Sequence, residues 1–418
     1  MSNQAQVKKA SIISVGNEVL SGRTVDTNAA YIARRLRASD IPVVSVYMAP
    51  DEVEAIRRVL DLATGDADVV VISGGLGPTD DDLTRQAMAA FLGVELVLHE
   101  DLLARIQQFF DRRGVAMPAR NAIQAHIPAG AKGIDNEVGT APGVEARRGS
   151  AVLFALPGIP SEMERMLEAS VLPRVREIAK SQAIVTRRVK CFGAGESAIA
   201  DMLGDAMQRG RNPLVNCTVH SGVITLEVVA TSSDRSQAAE MAAREEASLR
   251  RALGKLVYGV EDQTLAEVVG ERLSQAGKTL AVAESCTGGL LAKLITDVPG
   301  SSRYFLCGWV AYSNEAKSRQ LGVLPALLET HGAVSEQVAV AMAQGARYKA
   351  GADFAVGITG IAGPEGGTEH TPVGFVYIAV SSRDSTDISR HRFPHDRSSV
   401  RQRAAQTALN LLRLKLEI

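Results

Sequence analysis

Hydrophobic and polar positions in the first part of the chain alternate between short apolar runs and longer stretches with apolar residues at helical spacing. Short apolar runs predict buried strands, and the amphipathic stretches between them predict helices. We predict strands at 10–15, 41–48, 69–73 and 151–156. Between and after them we predict helices at 27–37 and 52–63, a helix that begins at residue 83, and a helix that begins within 157–163. This alternation predicts a mainly parallel sheet with helices on both faces.

The pattern changes between residues 176 and 190, where a basic, β-like segment begins. The predicted elements there are a strand at 184–192, a helix at 197–207, a hairpin of 214–220 and 223–230, and a helix at 237–253. Strand and helix alternation then resumes. It predicts helices at 265–275, 290–298, 313–320, 336–349 and 397–414, and strands at 279–283, 305–312, 354–359, 375–381 and 388–393. We therefore predict three domains, at residues 1–178, 179–260 and 261–418.

The composition is that of a globular protein of this size, and it limits the kinds of partner that we expect. The chain has 418 residues, 46% hydrophobic and 22% charged, which is enough for two or three domains with separate cores. Its net charge of −1 gives no general attraction to nucleic acid or to an anionic membrane, so we expect neither as a partner. We find no N-terminal apolar run with the length of a signal peptide and no stretch long enough to span a membrane. The four cysteines are scattered, and we expect a cytoplasmic location.

The segment Ala-Val-Ala-Glu-Ser-Cys-Thr-Gly-Gly, residues 281–289, joins a predicted strand to a predicted helix. Ser285 therefore lies beside the first helical turn, where we expect Gly288 and Gly289 to leave backbone N–H groups open to a ligand. A hydroxyl next to such donors is typical of acyl-transfer enzymes. The alternatives are that Ser285 only caps the helix, or that the adjacent thiol of Cys286 is the nucleophile.

A second strand-to-helix junction, residues 310–317, contains a candidate base for that serine. Ser313 or Asn314 is the predicted N-cap, which places Lys317 in the first turn. The helix dipole and burial would both lower the pKa of an amine there. A neutral amine can take the proton of a serine hydroxyl, with Tyr312 as relay or orienter. The alternative is a solvated surface lysine beside a half-buried tyrosine.

Five motifs, in order, resemble the C-terminal domain of the CinA family, which includes nicotinamide-nucleotide amidohydrolases. They are Glu-Ser-Cys-Thr-Gly-Gly (284–289), Tyr-Ser-Asn-Glu-Ala-Lys (312–317), His-Gly-Ala-Val-Ser (331–335), Thr-Gly-Ile-Ala-Gly-Pro (359–364) and Asp-Arg-Ser-Ser-Val-Arg (396–401). The resemblance implies Ser285 as nucleophile, Lys317 as its base and Tyr312 as their partner. It also implies that substrate is bound or processed by Thr287, Gly288, Gly289, Thr359, Gly360 and Arg401.

Two arginines on the last predicted helix have the right spacing to bind a phosphate. Arg397 and Arg401 are four residues apart and so share one helix face. Paired guanidinium groups there would grip the phosphate of nicotinamide mononucleotide (NMN). The alternative is a solvated basic face.

The N-terminal part has a glycine-rich segment, residues 73–84, at the end of a predicted strand, where open α/β sheets bind ligands. Gly74, Gly75 and Gly77 let backbone N–H groups approach a phosphate, and Thr79 adds a hydroxyl. Carboxylates would repel a bare phosphate unless a cation lies between them. This combination predicts a site for a divalent metal (Mg, Mn or Co) with a diphosphate or nucleotide; the alternative is an acidic helix cap. The predicted metal ligands are Asp81, Asp82 and Glu18, and the residues expected to complete the pocket are Asp26 and Asn28.

These segments, with Asn121, Gly-Thr-Ala-Pro-Gly (139–143) and Leu-Pro-Gly-Ile-Pro-Ser-Glu-Met (156–163), resemble the molybdopterin-binding fold of MoaB/MogA type found at the N-terminus of CinA. The resemblance implies a three-layer N-terminal domain, a small α+β KH-like middle domain and a C-terminal α/β amidohydrolase domain. It further implies hydrolysis of NMN to ammonia and nicotinate mononucleotide. For the N-terminal domain it leaves two activities open: metal-dependent hydrolysis of ADP-ribose, which we expect, and binding or adenylylation of molybdopterin. The middle segment has no basic Gly-x-x-Gly clamp for RNA.

Two non-enzymatic functions compete with this interpretation. One is an adaptor linked to competence and DNA damage, and the other is a scaffold that binds a pterin or nucleotide. Apolar strands and several domains lead us to expect a homodimer. The expected partners are otherwise the nucleotides NMN and ADP-ribose, and the amidohydrolase site is expected to need no cofactor.

Overall fold

The computed structural model describes residues 8–179, 183–369, 371–394 and 396–416, so the opening residues 1–7 lie outside the described part. The chain forms two compact units. The first comprises Met1–Val185 with Ala230–Glu240, and the second comprises Thr186–Val229 with Met241–Ile418. Within the described ranges, no helix combines the length and apolar character needed to cross a membrane.

The first unit is built on a six-stranded sheet in the order β2-β1-β3-β8-β7-β6, in which β1, β2, β3 and β8 are parallel and β6 and β7 are antiparallel. The strands of this unit, including the separate β4–β5 pair, are β1 Ala10–Val15, β2 Val43–Ala49, β3 Val69–Ser73, β4 Leu96–Leu98, β5 His126–Pro128, β6 Lys132–Ile134, β7 Gly143–Arg148 and β8 Ala151–Leu156. The predicted parallel core of this sheet is confirmed. The antiparallel edge of β6 and β7 was not predicted.

Helices cover both faces of this sheet. They are α1 Asn17–Leu20, α2 Thr27–Arg37, α3 Val53–Asp66, α4 Thr84–Leu92, α5 Glu100–Asp111, α6 Pro160–Met166 and α7 Leu172–Ile178. Successive residues of β1 enter opposite cores: Ile12 packs with α2, whereas Ile13 packs with the apolar side of α3. The unit therefore has three layers, helix–sheet–helix.

The middle segment forms a four-stranded sheet in the order β10-β11-β9-β12 with two helices, and the pairs β10–β11 and β9–β12 are antiparallel. Its elements are β9 Ala183–Phe192, α8 Glu196–Leu203, β10 Leu214–His220, β11 Val223–Ser232, α9 Arg235–Leu253 and β12 Val257–Val260. The predicted hairpin pairs as expected, with His220 opposite Val223. The predicted helix at 197–207 is shorter, because a 3₁₀ turn follows from Gly204.

The C-terminal segment contains a five-stranded sheet in the order β14-β13-β15-β16-β17. Its strands are β13 Leu280–Glu284, β14 Phe305–Val310, β15 Phe354–Gly360, β16 Phe375–Ser381 and β17 Thr386–Arg392, and its helices are α10 Leu265–Ala276, α11 Leu290–Thr296, α12 Asn314–Leu321, α13 Pro325–His331, α14 Glu336–Ala350 and α15 Arg397–Lys415. Since β13 is parallel to both β14 and β15, the carboxyl ends of these three strands meet at one edge. The candidate catalytic residues follow those ends.

Candidate functional site

Ser285 follows the end of β13, in a tight turn that leads into α11. Its N–H donates to the carbonyl of Ile358 on β15 at 3.0 Å, and the N–H of Gly288 closes the turn on the Ser285 carbonyl at 3.0 Å. Gly288 and Gly289 have φ angles of 58° and 91°, a left-handed conformation that favours glycine. The N-cap of α11 is Gly289, so Ser285 does not cap this helix.

The Lys317 amine reaches Ser285 from the neighbouring strand end. Its Nζ lies 3.1 Å from Ser285 Oγ and 3.0 Å from the backbone carbonyl of Tyr312. The Lys317 side chain is 1% exposed, and this burial lowers its pKa below the usual value. Ser313 is the N-cap of α12, with its hydroxyl accepting from the N–H of Ala316 at 3.1 Å. The alternative of a solvated surface lysine is therefore wrong.

Tyr312 contacts the lysine through its main chain and not through its phenol. The Tyr312 side chain is 60% exposed, and its hydroxyl accepts from the Arg397 guanidinium at 3.2 Å. The phenol lies on the exposed side of the chain, as do Leu306 and Val310 at the alternating positions of β14. Of the two roles predicted for Tyr312, relay or orienter, the contacts support the second, through its main-chain carbonyl on the Lys317 amine.

Cys286 is buried beside the nucleophile turn. Burial raises the pKa of its thiol to about 12. A thiol with that pKa stays protonated near neutral pH and is a poor nucleophile. Burial of the thiol, together with the Lys317 amine 3.1 Å from Ser285 Oγ, therefore favours Ser285 over Cys286.

The first-turn N–H groups of α11 are not open to a ligand, which corrects the sequence interpretation. The buried carboxylate of Glu284 accepts from the N–H of Leu291 at 3.0 Å and of Ala292 at 2.8 Å. Within the described part of the chain, the N–H groups of this turn that donate to no main-chain carbonyl are those of Cys286, Thr287 and Gly289, and the first two face the Cys286 thiol. Sequence reasoning missed Glu284; the available signal was a carboxylate at a strand end directly before a Gly-Gly turn.

The threonines of the predicted substrate site are fully buried. The Thr359 hydroxyl donates to the carbonyl of Ala333 at 2.7 Å, so it holds the β15 end against a neighbouring loop. Thr287 Oγ1 is buried without a hydrogen-bond partner. Gly360 allows β16 to approach closely, since a Cβ there would lie 2.6 Å from the carbonyl oxygen of Phe375.

The two arginines of α15 converge on the loops of this site. Arg401 donates to the carbonyl of Thr287 from Nε at 3.2 Å and from Nη2 at 2.8 Å. Arg397 donates to the carbonyl of Gly363 at 2.8 Å, in addition to its bond to Tyr312. Arg401 is half-buried and Arg397 is exposed, and each guanidinium donates to a loop carbonyl, so the two arginines are more than a solvated basic face.

In the first unit, the glycine-rich loop follows β3 and turns its carbonyls inward. The carbonyls of Gly74 and Gly75 accept from the hydroxyl and N–H of Thr84, at 2.8 and 3.1 Å, and those of the next two residues accept from the Arg85 guanidinium. In the part of this unit that the structure describes, the N–H groups of residues 75–77 donate to no other group. Such a row of free N–H groups is a suitable anion site.

Arg85 is a functional candidate that sequence reasoning missed. It is 1% exposed, and burial lowers its pKa below the usual value, although the nearby Asp82 opposes this effect. Its guanidinium lies 2.9 Å from the Gly77 carbonyl. The glycines have a packing role as well: a Cβ on Gly75 would lie 2.3 Å from the Thr84 hydroxyl.

Acidic side chains gather beside this loop, but they do not form a closed metal cage. Asp82 accepts from the N–H of Thr79 at 2.9 Å. Asp51, which the sequence analysis did not select, has its pKa raised by partial burial and then by the charges of Glu18, Asp81 and Asp82. Among the described residues, no three His, Cys, Asp or Glu side chains converge as metal ligands.

Asp26 and Asn28 lie where the strand ends meet. Asp26 caps α2 by accepting from the N–H of Ala29 at 2.9 Å and also accepts from the Ser14 hydroxyl at 2.6 Å. The Asn28 amide donates to Ser73 Oγ at 2.9 Å and to the Gly158 carbonyl at 2.8 Å. Asn28 Oδ1 is buried and has no partner. These side chains therefore hold the strand ends together.

Similar proteins match nearly the whole chain. A CinA-like protein from Geobacter sulfurreducens is 43% identical over 411 residues, covering 98% of this chain and 99% of that protein. A protein from Caldicellulosiruptor bescii, whose name refers to competence-damage induction, is 41% identical over 407 residues, covering 97% and 99% of the two chains. The chain belongs to the CinA family.

Family models divide the CinA chain into three segments. Residues 11–177 match the family described as "Probable molybdopterin binding domain", residues 186–259 match the damage-inducible protein CinA KH domain, and residues 262–416 match the CinA C-terminal domain. The expected fold class, a MoaB/MogA-like domain followed by KH-like and CinA C-terminal domains, is thereby confirmed. A solved CinA structure from Thermoplasma acidophilum, described as of unknown function, shares 39% identity and covers 40% of this chain and 98% of that one, with a TM-score of 0.38.

Proposed function

We propose that the C-terminal site of this CinA protein hydrolyses the carboxamide of NMN to release ammonia and nicotinate mononucleotide. The observation that carries the proposal is the 3.1 Å contact between Ser285 Oγ and the buried amine of Lys317. A hydroxyl needs an adjacent base to become a nucleophile near neutral pH, and a lysine with a lowered pKa can act as that base. The Tyr312 carbonyl, 3.0 Å from the same amine, orients it toward the serine.

The proposed reaction proceeds in two halves. Ser285 Oγ attacks the carboxamide carbon as its proton passes to Lys317 Nζ, and the lysine then gives that proton to the departing ammonia. Water, deprotonated by Lys317, attacks the resulting ester, which returns the serine hydroxyl and releases a carboxylic acid. The N–H groups of Cys286, Thr287 and Gly289, which donate to no main-chain carbonyl, are the candidate donors to the tetrahedral oxyanion.

A test of this activity is to incubate the purified full chain with NMN and measure ammonia and nicotinate mononucleotide. We expect both products in equal amounts. Nicotinamide riboside, which lacks the phosphate, is the matched control and should react with a higher KM if Arg397 and Arg401 contact the phosphate. Absence of ammonia from both NMN and nicotinamide riboside would overturn the proposal and favour a non-enzymatic adaptor.

We further propose that the N-terminal site hydrolyses ADP-ribose to AMP and ribose 5-phosphate with a divalent metal. The inward-turned carbonyls and free N–H groups at residues 75–77 support binding of a diphosphate. Glu18, Asp81 and Asp82 remain the carboxylates proposed to bind the cation, since oxygen ligands suit Mg²⁺ and Mn²⁺; among the described residues they do not converge on one metal position, so the proposal requires the loop to close around the bound metal. A bound cation would neutralise charge on the diphosphate. Metal-dependent formation of AMP is the measurement, and pterin binding without hydrolysis is the contradicting result.

A further inference from the structure

Glu284 is a fully buried carboxylate that precedes the candidate nucleophile directly in sequence. Its side chain reaches across the turn of residues 285–289 to the start of α11. There, Oε2 accepts from the N–H of Leu291 at 3.0 Å and Oε1 accepts from the N–H of Ala292 at 2.8 Å. These two N–H groups belong to the first turn of the helix, where no intrahelical acceptor exists. The carboxylate thus joins the strand before the turn to the helix after it.

The backbone on the other sides of the turn is also fixed. The Glu284 carbonyl accepts from the N–H of Ala311 at 2.9 Å, and the Ser285 N–H donates to Ile358 at 3.0 Å. Neighbouring strand ends therefore hold the residues on either side of the Glu284–Ser285 peptide bond. The far end of the turn, by contrast, is held to β13 through the Glu284 side chain.

Both carboxylate oxygens of Glu284 are occupied by main-chain donors. No ion pair between Glu284 and Lys317 occurs among the described residues. A carboxylate in this situation has no direct part in proton transfer from Ser285. Its influence on the serine passes through the geometry of the turn.

We propose that Glu284 is a positioning residue that clamps the nucleophile turn and so keeps Ser285 Oγ at the Lys317 amine. The inference rests on the proposed amidohydrolase function. The N–H groups of Leu291 and Ala292 each need an acceptor oxygen, and the Glu284 side chain is long enough to bring one to both. A glutamine offers one acceptor, and its NH₂ group would face a backbone N–H; an aspartate keeps both oxygens but is one methylene shorter.

The experiment compares Glu284→Gln in the full chain with Glu267→Gln, a matched control. Glu267 also accepts a backbone N–H at a helix start, from Thr264 at 2.7 Å, but it caps α10. With NMN as substrate, we expect Glu284→Gln to lower kcat by at least about 30-fold with KM changed less than twofold, since a small displacement of reacting groups costs this much. The acidic midpoint of the pH profile should stay where it is. Glu267→Gln should keep kcat within about twofold.

A second measurement shows whether a loss of activity in Glu284→Gln comes from a displaced Ser285 or from misfolding. It also works if NMN is not the substrate. Labelling of Ser285 by a fluorophosphonate, per folded molecule, should slow in Glu284→Gln even if NMN is not the substrate. Should Glu284→Gln fail to fold, Glu284→Asp carries the test with the same expected kcat loss. Normal kcat per folded molecule and normal labelling in the folded variant would overturn the proposal. Absence of ammonia from NMN in the wild type, with slowed labelling in the variant, would refute the substrate but retain the clamp.

Discussion

In the proposed mechanism, Lys317 acts as a base only in molecules whose amine is neutral. Burial lowers the pKa of Lys317, so the neutral fraction near pH 7 is larger than for an exposed lysine, whose pKa is about 10.4. Acidification protonates the amine. We therefore expect deamidation to fall as the pH drops through the lowered pKa and to rise toward alkaline pH.

Replacing Lys317 by arginine tests this role, because arginine keeps the charge but does not deprotonate. Lys317→Arg and Lys317→Ala should each lower kcat by at least about 100-fold, the usual contribution of general-base catalysis. The measurement is ammonia release from NMN, with the exposed Lys293→Arg as control. Turnover near the wild-type rate in Lys317→Arg would mean that the lysine only binds the substrate.

The thiol next to the serine gives a further prediction at the residue scale. Cys286 is buried, and its pKa of about 12 keeps it protonated at pH 8. Alkylation by iodoacetamide should therefore be at least about tenfold slower at Cys286 than at the partly exposed Cys307 of the same chain. Peptide mass spectrometry reads both sites in one sample. Equal or faster labelling of Cys286 would show a reactive thiolate and reopen the cysteine mechanism.

At the scale of elements, the glycine-rich loop depends on a buried side chain of the following helix. Arg85 on α4 accounts for the inward orientation of two loop carbonyls. Arg85→Gln should reduce ADP-ribose cleavage about tenfold, because an unmet buried hydrogen bond costs roughly 1–3 kcal/mol and would let the loop shift. Arg57→Gln, at an exposed arginine of α3, is the control and should leave the rate unchanged. An unchanged rate in Arg85→Gln would show that the contacts of Arg85 to the loop carbonyls are not needed for ADP-ribose cleavage.

The elements that carry the sites were predictable because their strands are continuous apolar runs, as in β3 and β13. The contacts within the sites were less accessible to sequence reasoning. Glu284 bonds to N–H groups seven and eight residues away, across a turn whose shape depends on tertiary packing. β14 ends at Val310, two residues before the predicted end, because the ends of strands are poorly marked in a sequence. Short elements such as β6 and α13 carry little periodic signal, which is why they were missed.

At the scale of the whole molecule, the two proposed sites lie in different compact units. Alanine at both Asp81 and Asp82 should abolish ADP-ribose cleavage while deamidation stays within about twofold, and Ser285→Ala should do the reverse. Substitutions in separate units that share no partners are expected to act independently. Measuring AMP and ammonia on the same preparations checks this. Loss of both activities in either variant would show that the units are coupled.

The most direct test of the central claim compares Ser285→Ala with Cys286→Ala in the full chain. Ammonia release from NMN should fall by at least about 10³-fold in Ser285→Ala, since only the attacking hydroxyl is lost. Cys286→Ala should keep most of the activity, because its buried thiol has no part in the reaction. A dead Cys286→Ala together with an active Ser285→Ala would contradict the serine–lysine account.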